Sequence, residues 1–303
     1  MKVVVLGAMG MLGATVTRVL AADPALSLRV TTRAGGWPDA PAHWEQATLD
    51  AERCSVAELA TVLQGADWAI NCIGVIKPYI HSDNPRETEA ALRINALFPH
   101  LLAAAGAQTG CRVLQVATDC VYSGLKGHYL EADPHDAWDA YGKTKSLGEV
   151  ASPWLRHIRC SIIGPELKGR LSLLEWFLGQ APGARVRGFT NHHWNGVTTL
   201  HFARLCRGIL AENLDLPQLC HVVPAAPLSK DELLGLMAAT YGRGDIAIEP
   251  GPGPEPIDRT LATSQDGLNR ALWRAAGYAE PPSLATMLHE LAEWSRGAGK
   301  DHP

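Results

Sequence analysis

The sequence predicts an α/β protein with a doubly wound parallel sheet, Rossmann-like in its opening, and three observations carry that expectation. A β-branched run, Lys2–Leu6, passes directly into a glycine turn and then into a helical pattern over residues 11–22. Short apolar runs recur at Ser27–Thr32, 68–73, Arg112–Ala117 and 157–163, and helical patterns at Val56–Leu63, 86–105 and 140–151 fall among them. Strands separated by helices imply parallel neighbours, because each crossover returns over the sheet through a helix.

After Gly164-Pro165 the alternation weakens. An amphipathic stretch at 171–178, a loop near His192–Asn195, a helix at 199–211 and a closing helix at 284–294 remain legible. The proline-rich segment 249–256 reads as a surface loop, since proline cannot sit inside a helix. Residues 1–164 are therefore taken as a dinucleotide-binding domain and 165–303 as a smaller C-terminal substrate-binding region.

Composition narrows the classes of function. The chain has 303 residues, 47% of them hydrophobic, and a formal charge of -4, which leaves no basic stripe for nucleic acid and no polybasic anchor for a membrane. The apolar N-terminus is broken by Gly7, Gly10 and Gly13 before it reaches the length of a signal segment. Seven cysteines, Cys54, Cys72, Cys111, Cys120, Cys160, Cys206 and Cys220, include no close pair and fit reduced thiols in cytoplasm.

The turn Gly7-Ala8-Met9-Gly10-Met11-Leu12-Gly13 follows the first strand and opens a helix, so three positions without side chains allow a pyrophosphate to approach the helix N-terminus. Met9, Gly10, Met11 and Leu12 belong to that cradle, and Cys72 and Gly74, at the end of the strand predicted at 68–73, are expected beside the cofactor. The second strand ends Val30-Thr31-Thr32-Arg33 without the carboxylate that meets a free ribose hydroxyl. Arg33 would hold a 2′-phosphate or stand as a solvated loop arginine; the first reading favours NADPH, with NAD possible.

Tyr141 and Lys145 are four apart in Tyr141-Gly142-Lys143-Thr144-Lys145, on one face of a helix. A nearby ammonium favours phenolate, so Tyr141 is expected to exchange a proton with a substrate oxygen near neutral pH. Thr118 follows the strand Arg112–Ala117 and projects from the edge where open α/β sheets bind ligands, and Asp119 beside it either contacts substrate or serves a turn.

In order and spacing, Gly7/Gly10/Gly13, Asn95, Thr118 and Tyr141-x-x-x-Lys145 resemble the extended short-chain dehydrogenase/reductase family. Within it, Val116-Ala117-Thr118-Asp119-Cys120-Val121-Tyr122 and Arg159-Cys160-Ser161-Ile162-Ile163-Gly164 are most similar to the dTDP-4-dehydrorhamnose reductase group. The resemblance implies Tyr141 as proton donor, Lys145 as its electrostatic partner and a ligand of the nicotinamide ribose, and Thr118 as a second donor to the substrate oxygen. It also implies that Asp50 lies near the adenine, against a simple turn role, and that homodimers form. It places Asn95 near the active site, where Pro99 would free its carbonyl for a water on the path to Lys145 or would only bend the helix for packing.

The implied reaction is reduction of a keto group on a nucleotide-linked sugar. Related dehydratases carry Thr-Asp-Glu where this chain has Thr118-Asp119-Cys120, and a neutral thiol is a poor replacement for a glutamate in proton abstraction. An epimerase with tightly bound NAD and a non-catalytic dinucleotide-binding regulator are the alternatives. His192 and His193 are adjacent and diverge, which argues against a metal site. Trp194 and Asn195 would cover a sugar face and bond its hydroxyls, or form a surface turn.

Overall fold

A computed structural model describes residues 1–37, 40–81, 83–167 and 169–298. Its first half runs β1 (Lys2–Leu6), α1 (Met11–Ala21), β2 (Ser27–Thr32), β3 (Glu45–Thr48), α2 (Val56–Leu63), β4 (Trp68–Asn71), α3 (Pro85–Ala91), α4 (Phe98–Thr109), β5 (Arg112–Ala117), α5 (Ala140–Leu147) and β6 (Leu155–Arg159). The central sheet has seven strands in the order Leu219–His221, β6, β5, β4, β1, β2, β3, and each neighbouring pair is parallel. Strand order reverses between β1 and β4, which opens a crevice at the carboxyl ends of the strands.

The period of two in β1 divides the core. Val3 and Val5 pack with Leu12, Val16 and Leu20 of α1 and with Leu205 and Ile209 of the helix Thr199–Glu212. Val4 and Leu6 face the other layer, formed by Leu59 and Leu63 of α2 and Phe98 and Leu102 of α4. The run Pro85–Thr109, of mean hydropathy 1.2, is long and apolar enough to cross a membrane by composition, and here its apolar side chains fill this second layer.

The structure departs from the sequence expectations in five places. The helix expected over 86–105 is interrupted by a π-helical turn, Leu92–Leu97, in which the Phe98 amide reaches back to the Arg93 carbonyl. Pro99, with no amide to offer Asn95, removes the bond that would hold a regular α-helix there. The helix expected over 140–151 stops at Leu147, where Gly148 packs so closely on the Asn95 carbonyl that a Cβ would lie 2.0 Å from its oxygen.

The strand expected over 157–163 is two pieces, β6 and Ile162–Ile163, and the second leaves the sheet to pair with Val197–Thr198. Within 249–256, residues up to Gly251 form part of a strand, Ala247–Gly251, along Arg185–Phe189, a two-stranded edge that tolerates Pro250. The division at 164 does not coincide with the sheet either: Leu219–His221 supplies its outer strand, and Thr199–Glu212 covers α1.

Candidate active site

Three glycines build the floor of the crevice. Gly7 has φ +78°, and its amide donates to Thr31 Oγ1 at 3.0 Å, which ties the turn to the end of β2. Gly13 lies against that turn so closely that a Cβ would stand 2.1 Å from the Gly7 oxygen. Gly10 caps α1 without a side-chain bond, and no acid occupies the first helical turn, so the N-terminal amides keep their affinity for an anion.

The cleft above, about 380 Å³, is lined by Met9, Gly10, Met11 and Leu12 on one side and by Cys72 and Gly74 beyond β4. Thr118, Asp119 and Cys120 enter from the end of β5, Tyr141 and Lys145 from α5, and Ser161, Glu166 and Leu167 from the chain beyond β6. Asp139 starts α5 by accepting the Gly142 amide at 2.9 Å, and it pairs with Lys77 at 2.9 Å.

Thr118 Oγ1 accepts the Cys120 amide at 3.2 Å and donates to Asp119 Oδ1 at 3.1 Å, and Tyr141 lines the same cleft. Burial pushes the Tyr141 phenol above its ordinary value, the Cys120 thiol and the carboxylates of Asp119 and Asp139 add to this, and the Thr118 hydroxyl opposes it. The expected drift of Tyr141 toward phenolate is therefore reversed, because taking phenolate out of water outweighs the ammonium one helical turn away. Tyr141 keeps its proton at neutral pH. Burial also pulls Lys145 down to about 8, against Cys120 and Glu149, which raise it.

Gly74 admits the lysine: a Cβ there would lie 2.8 Å from Lys145 Nζ and 3.4 Å from Asn95 Oδ1. Asn95 stands behind the cleft rather than in its lining. Its Oδ1 accepts the Val75 amide at 2.9 Å, and its Nδ2 donates to the Val75 carbonyl at 2.9 Å and to Thr144 Oγ1 at 3.3 Å. It thereby ties the loop after β4 to α5.

Other expected site residues lie apart from this centre. Arg33 is exposed one residue beyond β2. Asp50 forms a turn, accepting the Glu52 amide at 3.1 Å, and lines a separate hollow with Arg53, Cys54 and Glu58. Asn195 is buried and turns both ends of its amide to the main chain of Leu261, which makes it a fastener between two segments. Trp194 folds over Gly196, where a Cβ would meet its ring at 2.2 Å, and packs on the core. His192 faces the Glu255 carbonyl at 3.1 Å, and His193 is exposed.

Ser161, Glu166, Leu167 and Tyr79 complete the lining without a sequence signal of a site role. Arg259 Nε donates to the Tyr122 carbonyl at 2.9 Å, and its charge acts on Asp119, Cys120 and Asp139. Nothing around position 259 in the sequence announces this, because its partners lie more than a hundred residues earlier.

A doubly wound parallel sheet with a glycine turn after its first strand, and with Thr118, Tyr141 and Lys145 gathered at the crevice, is the arrangement of an extended short-chain dehydrogenase/reductase. The family model described as RmlD substrate binding domain matches residues 1–157, and the chain belongs to that family. No curated protein matches the sequence.

Several solved structures share the fold. A dTDP-4-dehydrorhamnose reductase from Bacillus anthracis in complex with NADP is 16% identical with TM-score 0.70, and the match covers 96% of this chain and 98% of that one. A dTDP-glucose 4,6-dehydratase from Streptomyces venezuelae with NAD bound is 21% identical with TM-score 0.72, over 98% and 97%. A UDP-glucuronic acid 4-epimerase from Bacillus cereus in complex with NAD is 14% identical with TM-score 0.71, over 100% and 99%. The shared fold thus spans three chemistries and does not choose among them.

Proposed function

We propose that this protein is an NADPH-dependent reductase of a keto group on a nucleotide-linked sugar, of the 4-keto-6-deoxy type, in the supply of polysaccharide precursors. The observation that carries the reading is the Thr118–Tyr141 hydroxyl pair in the cleft beside Lys145, with Tyr141 held protonated by burial. A neutral phenol is a proton donor, which is what a carbonyl oxygen needs as it becomes an alcohol.

The residues fit a dinucleotide. The turn at Gly7 and Gly13 has no room for a Cβ, and the uncapped start of α1 presents amides to a pyrophosphate. Met9, Met11 and Leu12 would flank it, Cys72 and Gly74 would border the nicotinamide end, and Arg33 would meet a 2′-phosphate. When bound, NADPH supplies the hydride. Thr118 and Tyr141 orient the carbonyl oxygen by hydrogen bonds, Tyr141 gives up its proton, and Lys145 stabilises the phenolate left behind.

Two features favour a reduction on an anionic substrate. The Cys120 thiol is pushed up to about 12 by burial, so it stays protonated and does not take a proton from carbon, as a dehydratase requires. Cations also gather beyond Asp119: Arg259 acts on that carboxylate, and Lys230 and Arg259 both act on His192. Lys230 lies 5.8 Å from the Trp176 ring and 6.0 Å from that of Phe189, a setting that would hold a diphosphate near an aromatic face.

The test is NADPH consumption with a panel of nucleotide 4-keto sugars. Stoichiometric oxidation supports the reading. Cofactor that co-purifies tightly, with no net consumption, would instead make the protein an epimerase.

A further inference from the structure

Arg159, the last residue of β6, has no exposed surface, and its guanidinium is shared among four side chains. It donates to Tyr122 Oη at 2.6 Å, His221 Nε2 at 2.9 Å, His135 Nε2 at 2.8 Å and Glu149 Oε2 at 2.5 Å. Arginine only donates, so both histidines accept through Nε2 and carry their proton on Nδ1. Those Nδ1 atoms then donate to Ser146 Oγ and to the Ala262 carbonyl, each at 2.7 Å. Four parts of the chain meet at this buried cation: the end of α5, the loop that follows Thr118, β6, and the strand Leu219–His221.

Glu149 is the only anion bonded to that guanidinium among the described residues. α5 ends at Leu147 and Gly148 keeps helical angles, φ −82° and ψ −1°, so Glu149 stands about one turn beyond Lys145. A buried ion pair is weak support for stability, since desolvating both charges costs about as much as their attraction returns. Its position behind the acid–base helix is the informative feature.

We propose that Arg159 and Glu149 are positioning residues for Lys145: the pair pins the end of α5 to β6, and its charge balance fixes the field in which the Lys145 ammonium sits. The groups facing Lys145 are the Cys120 thiol from the loop after β5 and the Glu149 carboxylate, while Gly74 and Asn95 bring no charge. Glu149 alone would hold the lysine protonated more firmly, and Arg159 at its shoulder limits that effect. Only the catalytic meaning rests on the reduction proposed above; the charge relation stands without it.

The test follows the titration of Lys145 by carbon-13 NMR of ε-labelled lysine in the full chain, which needs neither cofactor nor sugar. Glu149→Gln, close in shape, keeps the Arg159 charge and is expected to move the titration to lower pH by at least about 0.5 unit. Adding Arg159→Met in the same chain removes both charges and is expected to return the titration toward the wild-type position. An unmoved titration in Glu149→Gln overturns the proposal, and so does a double variant that stays as displaced as the single one. If the double variant does not fold, the single variant decides. In turnover, the alkaline limb should follow the same displacement. A displaced titration without turnover on any keto sugar counts against the reductase reading and leaves this one standing.

Discussion

Asn195 closes two hydrogen bonds on the main chain of Leu261, donating from Nδ2 to the carbonyl at 2.7 Å and accepting the amide on Oδ1 at 2.9 Å. The pair fastens the turn after His192–Trp194 to the segment that carries Arg259. Asn195→Ala should therefore lower stability by about 1–3 kcal/mol, because two buried backbone groups lose their partner. Urea unfolding measures this. A stability within about 0.3 kcal/mol of wild type would mean that the backbone finds other partners.

Tyr141→Phe removes the proposed donor and should lower turnover by at least about a hundredfold while leaving the NADPH dissociation constant nearly unchanged. Lys145→Ala should damage both, since the proposed mechanism assigns one ammonium to the phenol and to the cofactor ribose. Near-normal turnover of the phenylalanine variant would remove Tyr141 from the reaction.

Arg33 stands exposed at the end of β2, with Thr31 engaged by the glycine turn. Arg33→Ala should weaken NADPH and leave NADH alone, and paired dissociation constants by fluorescence read the ratio. An unchanged ratio assigns the 2′-phosphate to another residue.

Two buried histidines make stability depend on pH. Burial pulls both His201 and His221 down to about 4, with the charges of Arg204 and Arg159 respectively acting in the same direction. The folded state binds these protons less readily than the unfolded chain, so the contribution is complete above about 6.5 and is lost as pH falls from there toward 4. Each is worth on the order of 3 kcal/mol. Urea midpoints between pH 7 and pH 4 should fall accordingly, and His221→Gln should flatten part of the slope. A flat profile over that interval would mean that both rings charge without cost.

The legible part of the molecule was the part written in short-range pattern. Lys2–Leu6, the glycine turn and the start of α1 are one strand–turn–helix unit whose conformation depends on immediate neighbours. Thr118 stands next to its strand, and Tyr141 and Lys145 are one helical turn apart, so spacing alone placed them on the face that lines the cleft. The π-helical turn at Leu92–Leu97 was half legible: Pro99 announced the lost bond, but the form of the interruption depended on packing against α5.

By itself, then, the sequence determined the parallel sheet, the glycine turn and the placing of Thr118, Tyr141 and Lys145 in one cleft, because alternation, glycine spacing and helical period are local properties of the chain. Tertiary structure alone decided that Asn195 is a fastener, that Arg259 reaches Tyr122 across 137 residues, and that Arg159 gathers Glu149, His135 and His221 around one buried charge. It also decided the state of Tyr141, since its proton is held by exclusion from water. Burial and long-range pairing arise only when crossovers bring distant strands side by side, and no pattern within a helix or strand encodes which side chains will then meet.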